Sequence, residues 1–315
     1  MKSEPSNTPI SPLKRSLRIG VIGANGRLGQ AVVSRFSALA QPIAITRDQL
    51  DLSNPSGIEE LVLNCKLDMV VITAAMTAVD DCEKNKELAY SINSEGPGKI
   101  ARVCAEHGIK VVYISTDFVF DGSGDRPYRE GDKVNPISVY GASKLKGEQM
   151  VLAASGENLV VRVSWLYGAA SPAFPEWIIR QATMNDTLAL PAEKIGSPTA
   201  SEDVAAYLEP LLGLEGAESA KGIVHLCNSG SCSWREWGQF CLDEATNAGA
   251  ELRTRTIGVN RMEDIAAFVA KRPRMSALDN SLYCELTGVR PRSWESALSD
   301  HLSSMELFVE TPKAS

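Results

Sequence analysis

The feature that most constrains the fold of this chain is a regular alternation of short apolar runs with segments of helical periodicity. The apolar runs cover 18–22, 42–46, 68–75, 110–115 and 159–165. Apolar residues at successive positions place both faces of a run in the interior, as in a strand between two layers of helices. Strands that alternate with helices predict an α/β fold with a Rossmann-like, doubly wound parallel sheet.

Helical spacing of apolar residues predicts helices over 28–39, 58–65, 84–107 and 139–154. Gly108 is expected to end the third of these helices as a C-terminal cap. After residue 168 prolines interrupt the pattern, and the run 222–227 predicts one more strand of the same sheet. The chain is therefore predicted to have three parts: a disordered N-terminal extension (1–16), a dinucleotide-binding domain (17–170, with sheet segments returning around 199–230) and a smaller C-terminal substrate-binding lobe (171–198 and 231–315).

Composition excludes several classes of protein. A net charge of −7 argues against broad nucleic-acid binding, which requires a basic face, and no apolar run is long enough to cross a bilayer. The seven cysteines are odd in number and form no CxxC pair, so neither a disulfide framework nor a zinc site is expected. The three histidines are far apart and are expected in packing or on the surface. We therefore expect a cytoplasmic protein with no metal ligand assigned and with neither nucleic acid nor membrane as a partner.

A glycine-rich turn follows the first predicted strand and opens the first predicted helix. It has the sequence GANGRLG over 23–29. Such a turn brings backbone N–H groups and the positive end of a helix against a pyrophosphate, and its last glycine allows the helix to pack on the sheet. The spacing differs from the commonest dinucleotide fingerprint, GxGxxG, and a turn without a ligand is the alternative. Cofactor contacts are predicted at Gly23, Asn25, Gly26, Arg27, Leu28 and Gly29.

The end of the second strand bears on the choice of coenzyme. An acidic residue there binds the ribose 2′-hydroxyl of NAD, whereas a basic residue accommodates the 2′-phosphate of NADP. Arg47 favours NADPH, but its neighbour Asp48 favours NADH. We expect NADPH from Arg47, with NADH as the alternative coenzyme, and both residues could instead be solvated loop charges.

A proton-transfer pair is expected at the start of the helix predicted over 139–154. Tyr140 and Lys144 are four residues apart, so their side chains lie on one face of the helix. A neighbouring ammonium favours the phenolate and is expected to lower the tyrosine pKa from about 10, as a general acid for ketone reduction requires. The alternative is an exposed pair without a catalytic role.

Hydroxyl groups at the end of the preceding strand strengthen this prediction. Ser115 and Thr116 lie where a parallel sheet places its functional groups. Either hydroxyl could hydrogen-bond a substrate carbonyl beside Tyr140. The alternative is that the hydroxyl caps local backbone.

Together these residues resemble the extended short-chain dehydrogenase/reductases and, more specifically, the dTDP-4-dehydrorhamnose reductase family. The specific blocks are STDFVF at 115–120 and NPISVYGASKLKGE at 135–148. Further matches, in family order over nearly the whole chain, are TAVD at 77–80, SWLY at 164–167, GSPT at 196–199 and Arg272-Pro273.

The resemblance implies reduction of the C4 ketone of dTDP-4-dehydro-β-L-rhamnose, a nucleotide sugar, to dTDP-L-rhamnose. It implies that Tyr140 donates the proton, that Lys144 binds the nicotinamide ribose and tunes the tyrosine, and that Thr116 adjusts its pKa. Substrate contacts are implied for Thr116, Asp117 and Trp165. Further cofactor contacts are implied for Asp51, Leu52, Ala75, Met76, Thr77, Tyr140 and Lys144. The resemblance also allows Mg²⁺ and a homodimer, although no acidic motif for Mg²⁺ is found.

The chain departs from the family pattern at three places. Met76 stands where a histidine is frequent, Glu193-Lys194 replaces a common Asp-Gln, and Met275-Ser276 replaces Asn-Ser. These departures bear on the preference for sugar and nucleotide more than on the reaction type.

Two alternative functions stay open. The first is a non-catalytic, NADP-binding regulatory subunit that resembles the β subunit of methionine adenosyltransferase, in which Ser-Asn stands where this chain has Thr116-Asp117. The second is another enzyme of the extended family, such as a sugar-nucleotide epimerase that retains NAD.

Overall fold

The computed structural model describes residues 16–170, 172–214 and 218–305. The predicted N-terminal extension lies outside the described residues except for Ser16. Within the described part, no helix has the length and apolar character that a membrane span requires. The strands and helices, in chain order, are β1 (Arg18–Ile22), α1 (Arg27–Phe36), β2 (Gln41–Ile45), α2 (Ile58–Cys65), β3 (Met69–Ile72), α3 (Val79–Lys84), α4 (Lys86–Tyr90), α5 (Gly96–Glu106), β4 (Lys110–Thr116), α6 (Val139–Ala154), β5 (Leu159–Val163), β6 (Leu166–Tyr167), α7 (Phe174–Met184), β7 (Leu188–Pro191), β8 (Ile195–Gly196), β9 (Thr199–Ala200), α8 (Ser201–Leu211), β10 (Gly222–His225), β11 (Cys232–Ser233), α9 (Trp234–Asn247), β12 (Ile257–Asn260), α10 (Ser281–Thr287) and α11 (Trp294–Ser303).

Six strands form one parallel sheet in the order β10-β5-β4-β3-β1-β2. The winding reverses at β1, because β2 lies on one side of it and β3 on the other. This confirms the predicted doubly wound, Rossmann-like sheet, and β10 confirms that the run 222–227 supplies one of its strands. Ligands of such sheets bind in the crevice beyond the carboxyl ends of the strands at the reversal point. In this chain that crevice lies beyond β1 and β3.

Helices cover both faces of the sheet, which is why its strands are apolar on both sides. On one face α1 and α8 pack on the strands and contribute Phe36 and Leu208 to the core. On the other face α2, α5 and α6 contribute Val62, Ile100 and Val151. Each such buried side chain stabilises the fold by about 1.5–3 kcal/mol. The two cores fix the sheet and so fix the positions of the strand ends.

A third hydrophobic core lies among α7, α9 and α11. Ile178, Trp237 and Leu298 are buried in it, and β12 pairs with β7 beside it. These elements fall in the segments predicted as the substrate-binding lobe. The boundaries of that lobe stay a prediction.

The third predicted helix (84–107) is present from Lys86 to Glu106, but it is not α-helical throughout. The structure has α3, α4, a π-helical turn over Ser91–Glu95 and then α5. Pro97 gives the reason, because it has no N–H to donate to the Asn93 carbonyl four residues earlier. That oxygen instead accepts a 2.6 Å hydrogen bond from the Tyr113 hydroxyl. The predicted cap is confirmed, since Gly108 follows α5 with a φ of +67°.

Candidate active site

A groove lies beyond the carboxyl ends of β1, β2 and β3, where the winding of the sheet reverses. It contains two adjoining cavities of about 380 and 340 Å³. Both cavities are lined by Gly23, Arg47 and Ala75, so they adjoin each other along these residues. Of the other predicted cofactor residues, Asn25, Gly26, Arg27, Leu28 and Thr77 line the first cavity, and Asp51, Leu52 and Met76 line the second.

The end of the third predicted strand shapes this groove instead of belonging to the sheet. Strand β3 ends at Ile72, whereas the sequence predicts a strand up to residue 75. The residues that follow, 73–77, turn away from the sheet and line the groove. The early end of β3 therefore creates the space that a ligand needs.

The glycine turn lies at one end of the groove. Gly23 has a φ of +90°, and its carbonyl accepts a 2.9 Å hydrogen bond from the Gly26 N–H. A Cβ at position 29 would lie 2.1 Å from the Gly23 oxygen, so Gly29 allows α1 to start against the turn. Gly29 thus acts in packing, and its neighbours line the groove. The helix N-terminus at this place fits an anionic pyrophosphate.

Arg27 and Arg47 occupy different surroundings in the groove. The Arg27 guanidinium donates to the backbone carbonyls of Leu166 and Pro172, at 3.4 and 2.9 Å. Arg47 forms a 3.3 Å ion pair with Asp51, and its side chain is 76% exposed. An exposed pair of this kind contributes little free energy, so Arg47 can exchange Asp51 for a phosphate. Hydrogen bonds from Ser53 hold the pKa of Asp51 below its usual range.

Tyr140 lies in the first turn of α6, and a close contact fixes that turn. The hydroxyl of Ser138 caps the helix by accepting a 3.2 Å hydrogen bond from the Gly141 N–H. A Cβ at position 141 would lie 2.1 Å from the Phe118 carbonyl oxygen. The helix therefore touches the loop after β4, and the Tyr140 ring packs edge-on against Phe118 at 5.4 Å between centroids. Tyr140 is buried, as is Lys144, which excludes an exposed pair.

The predicted effect of Lys144 on the tyrosine is wrong. Burial raises the pKa of Tyr140 above its ordinary value, and a hydrogen bond with Thr116 offsets this only in part. Burial also lowers the pKa of Lys144 to about 7, against the opposing charge of Glu148. The Lys144 Nζ is directed at the strand and donates a 2.6 Å hydrogen bond to the Ile114 carbonyl. Desolvation of the phenolate is therefore the dominant effect on Tyr140, and the lysine charge is not among its causes.

Thr116 is the last residue of β4 and lies beside the phenol. It has both of the roles considered from the sequence, as a cap of the local backbone and as a hydroxyl close to Tyr140. Its hydroxyl accepts a 3.2 Å hydrogen bond from the Phe118 N–H, which caps the local backbone. The same group donates to the Asp117 carboxylate at 3.0 Å and lies close enough to Tyr140 to lower the pKa of its phenol. Thr116 and Asp117 are almost fully buried. The sequence-predicted acid and its neighbouring hydroxyl are thus brought together.

Ser115 has a different function. Its hydroxyl donates a 2.5 Å hydrogen bond to Glu148. Glu148 in turn forms a fully buried ion pair with Arg162, at 2.7 Å. Of the two hydroxyls considered, only that of Thr116 therefore faces Tyr140, and Ser115 belongs to a polar network that joins β4, β5 and α6.

Asn93, which the sequence did not single out, ties the groove to the catalytic helix. Its amide nitrogen donates to the Met76 carbonyl and to the Ser143 hydroxyl, both at 3.0 Å, and its amide oxygen accepts from the Met76 N–H at 2.8 Å. The residue is fully buried in the π-helical turn, a feature that is frequent at functional sites. The available sequence signal was Pro97, which disfavours a continuous helix.

Trp165 has a strained backbone at the edge of the site. Its φ is 45°, a conformation that bulky residues rarely adopt and that is enriched at functional sites. The ring stacks on Trp237 at 5.3 Å. It also covers Gly196, where a Cβ would lie 2.2 Å from it. These contacts hold the indole in one orientation.

A third cavity, of about 570 Å³, lies between the loop after β4 and the segment after β12. Lys271, Arg272 and Arg274 line it together with three acidic residues, Asp121, Glu193 and Glu263. The Arg272 guanidinium lies 3.6 Å from the Phe268 ring centroid and binds Asp80 at 2.5 Å. The cavity thus combines cationic groups with an aromatic wall.

No metal site is evident in the described ranges. There, no group of three or more His, Cys, Asp or Glu side chains is arranged to hold an ion. No residue is therefore assigned to Mg²⁺.

Comparison with known proteins extends over nearly the whole chain. A dTDP-4-dehydrorhamnose reductase of Streptomyces griseus is 34% identical over 307 residues, which are 94% of this chain and 96% of that protein. The family model described as RmlD substrate binding domain matches residues 17–307. The chain belongs to the dTDP-4-dehydrorhamnose reductase family. The resemblance found in the sequence is confirmed.

Other members of the family and its structures agree. The spore coat polysaccharide biosynthesis protein SpsK of Bacillus subtilis is 32% identical over 286 residues, covering 90% of this chain and 96% of that protein. A dTDP-4-dehydrorhamnose reductase of Bacillus anthracis, solved in complex with NADP, is 31% identical with a TM-score of 0.84, over 92% of this chain and all of that one. A UDP-glucose 4-epimerase of Thermus thermophilus, at 19% identity and a TM-score of 0.72 over 91% of this chain and 99% of that chain, shares the fold.

Proposed function

We propose that this protein catalyses the NADPH-dependent reduction of the C4 ketone of dTDP-4-dehydro-β-L-rhamnose to dTDP-L-rhamnose. The observation that carries the proposal is the meeting of Tyr140 and Thr116 at the carboxyl end of β4. That strand is next to β3, and Met76, which lines the groove, packs against the cluster that contains Tyr140, so the pair adjoins the groove. Membership of the family and the NADP complex of the Bacillus anthracis relative support the choice of reaction and coenzyme.

The groove fits a nicotinamide dinucleotide. We assign the pyrophosphate to the turn that contains Gly23 and Gly26, where the start of α1 presents the positive end of its helix dipole to the cavity. The adenosine is assigned to the cavity formed by Asp51, Leu52 and Met76. The bound coenzyme supplies the hydride.

Tyr140 is assigned as the general acid. Because burial raises its pKa, the phenol keeps its proton at neutral pH until an alkoxide develops beside it. Thr116 can donate a hydrogen bond to the phenol oxygen and so stabilise the phenolate through the transfer. Lys144 is assigned to the nicotinamide ribose.

The sugar is assigned to the surface formed by Thr116, Asp117 and Trp165. The third cavity supports an anionic substrate, because Lys271, Arg272 and Arg274 can face the diphosphate. A nucleotide sugar would then extend from the phenol into this cavity.

Tyr140→Phe tests the acid. It should lower kcat by roughly 10²–10⁴-fold while NADPH affinity, measured by fluorescence titration, stays nearly unchanged. Tyr283→Phe, at a buried tyrosine of α10 outside the site, is the matched control and should keep normal turnover. Normal turnover in Tyr140→Phe would remove this residue from the acid role.

Arg47→Ala tests the coenzyme preference. If Arg47 binds the 2′-phosphate, the KM for NADPH should rise at least about tenfold and the KM for NADH should stay the same. Steady-state kinetics with both coenzymes measures the difference. An equal change for both coenzymes would contradict the assignment.

The alternatives are distinguished by the same preparation. A regulatory subunit would bind NADP and show no turnover with the dTDP sugar, and a pull-down with it would recover a synthetase partner. An epimerase would co-purify with NAD that does not exchange. Thr116-Asp117, present here in place of Ser-Asn, favours the reductase over the regulatory subunit.

The remaining expectations are proposals too. We place the reaction in the cytoplasm, which the unpaired state of the described cysteines supports. The division into a dinucleotide-binding domain and a substrate-binding lobe, and a homodimer, are testable by limited proteolysis and by light scattering.

A further inference from the structure

An arginine of the glycine turn holds the two ends of the loop between β6 and α7. The Arg27 guanidinium donates through Nη1 to the Leu166 carbonyl at 3.4 Å and through Nη2 to the Pro172 carbonyl at 2.9 Å. A guanidinium presents its donors in a rigid planar fork. The fork therefore fixes the two carbonyls relative to each other and joins the loop to the turn that is assigned to the coenzyme.

A stack of aromatic rings is attached to the same two ends of the loop. Leu166 directly follows Trp165, and Pro172 shortly precedes Phe174. The rings of Trp165 and Phe174 both stack on Trp237, at 5.3 and 4.3 Å between centroids. The arginine thus binds the backbone beside both of the rings that pack on Trp237.

The backbone of Trp165 depends on such contacts. Its φ of 45° is a conformation that costs free energy in a bulky residue and persists only when the surrounding structure fixes it. The Trp165 carbonyl accepts a 3.3 Å hydrogen bond from the Thr199 N–H, and β6 pairs with β9 directly afterwards. The next carbonyl, that of Leu166, is the one that Arg27 binds. Arg27 therefore helps to hold the strained conformation.

The segment around Trp165 reaches the substrate side of the site. Ser164 donates a 3.1 Å hydrogen bond to the Asp117 carboxylate. The Lys194 Nζ lies 5.6 Å from the Trp165 ring centroid and 5.2 Å from that of Phe118, the ring on which the general acid packs. A displacement of this segment would therefore move the indole relative to the reacting groups.

We propose that Arg27 is a positioning residue for the sugar nucleotide: its two hydrogen bonds fix the ends of the loop and, through them, the Trp165 indole that meets the sugar. This inference rests on the substrate surface proposed above. The glycine turn then serves both ligands, the coenzyme at the start of α1 and the sugar nucleotide through the Arg27 guanidinium.

Arg27→Ala tests the proposal in steady-state kinetics at saturating NADPH, where weaker coenzyme binding does not contribute. The KM for dTDP-4-dehydro-β-L-rhamnose should rise about tenfold. The kcat should stay near the wild-type value, as it does when an interaction shared by ground state and transition state is lost. A general structural defect would instead lower kcat as well.

Arg47→Ala is the matched control. Arg47 lines the same cavity as Arg27, but its ion pair is with Asp51 and not with the loop after β6. This variant should raise the KM for NADPH and leave the KM for the sugar nucleotide unchanged. An unchanged sugar KM in Arg27→Ala, or an equal rise in Arg47→Ala, would overturn the proposal.

Arg27→Lys separates the charge from the fork. Lysine keeps the positive charge at the turn, but its single nitrogen cannot serve two carbonyls as the guanidinium does. The KM for NADPH should stay near the wild-type value, and the KM for the sugar nucleotide should rise nearly as far as in Arg27→Ala. A normal sugar KM would contradict the proposal. If Arg27→Ala does not fold, this variant decides.

A double-mutant cycle tests whether Arg27 acts through the indole. Calorimetry without coenzyme measures the Kd of dTDP-L-rhamnose. Arg27→Ala should weaken binding about tenfold when Trp165 is present, but by less than about twofold in Trp165→Ala. Equal weakening in both backgrounds would overturn the proposal. A wild type that neither reduces dTDP-4-dehydro-β-L-rhamnose nor binds dTDP-L-rhamnose would overturn the reductase function instead.

Discussion

The contact between α6 and the loop after β4 allows a quantitative test of how the acid is positioned. In Gly141→Ala the new Cβ would lie 2.1 Å from the Phe118 carbonyl oxygen, whereas non-bonded carbon and oxygen atoms stay at least about 3 Å apart. Helix and loop must therefore separate by about 1 Å. Because both atoms belong to backbone, no side-chain rotation can relieve the contact.

This displacement acts directly on the chemistry. Tyr140 precedes Gly141, and its partner Thr116 lies just before the loop, so the separation opens the distance between phenol and substrate. A misplacement of about 1 Å costs about 10²-fold in rate, and the overpacking should destabilise the fold by about 1–3 kcal/mol. We expect kcat, measured by the loss of NADPH absorbance with the dTDP sugar, to fall by about two orders of magnitude.

Gly156→Ala is the control, because a Cβ there meets nothing within 4 Å. It should leave kcat and the unfolding midpoint close to the wild type. A Gly141→Ala protein that is folded and turns over normally would refute the argument that this contact sets the position of Tyr140.

Two further predictions concern buried or bridging carboxylates. The carboxylate of Asp80 accepts hydrogen bonds from the Val269 and Ala270 N–H groups and from Arg272, so Asp80→Asn should loosen the segment over the third cavity. The KM for the sugar nucleotide should then rise several-fold, while kcat stays the same. An unchanged KM would contradict this. The Arg272 hydrogen bond, together with those of the two backbone groups, lowers the pKa of Asp80 from 3.8 to about 2. The ionised Asp80 therefore stabilises the fold above pH about 4, and this stabilisation is lost as the pH falls through about 2. The thermal midpoint of the wild type should decline over this range, and that of Asp80→Asn should not. Glu148→Gln should lower the free energy of unfolding by about 3–5 kcal/mol, because Arg162 is then buried without its carboxylate. Urea denaturation measures this change. A loss under about 1 kcal/mol would show that the fold does not depend on the ion pair.

The sheet and its helices could be predicted because their signals are local. The apolar period places the helices at Ile58–Cys65 and Val139–Ala154 where the structure has them, and unbroken apolar runs mark the strands. The third helix was predicted over nearly its observed length, but its π-helical turn was not, because a regular period does not show where a carbonyl finds another partner. In that turn Asn93 bonds Met76 and Tyr113, which are distant in sequence.

The candidate site was predictable in its residues but not in its electrostatics. Spacing put Tyr140 and Lys144 on one helix face, and strand order put Thr116 at the same edge of the sheet. The sequence predicted a lowered phenol pKa from the nearby lysine, whereas the structure directs Lys144 to the Ile114 carbonyl and leaves burial as the larger effect on Tyr140.

The sequence by itself determined the doubly wound sheet, the glycine turn and the family, because each is carried by residues close together in the chain. The tertiary structure alone decided which polar groups lose their water and which charges then face each other. Desolvation depends on packing from all sides, so the raised pKa of Tyr140 cannot be derived from spacing. It arises where β4 and α6 close on one another.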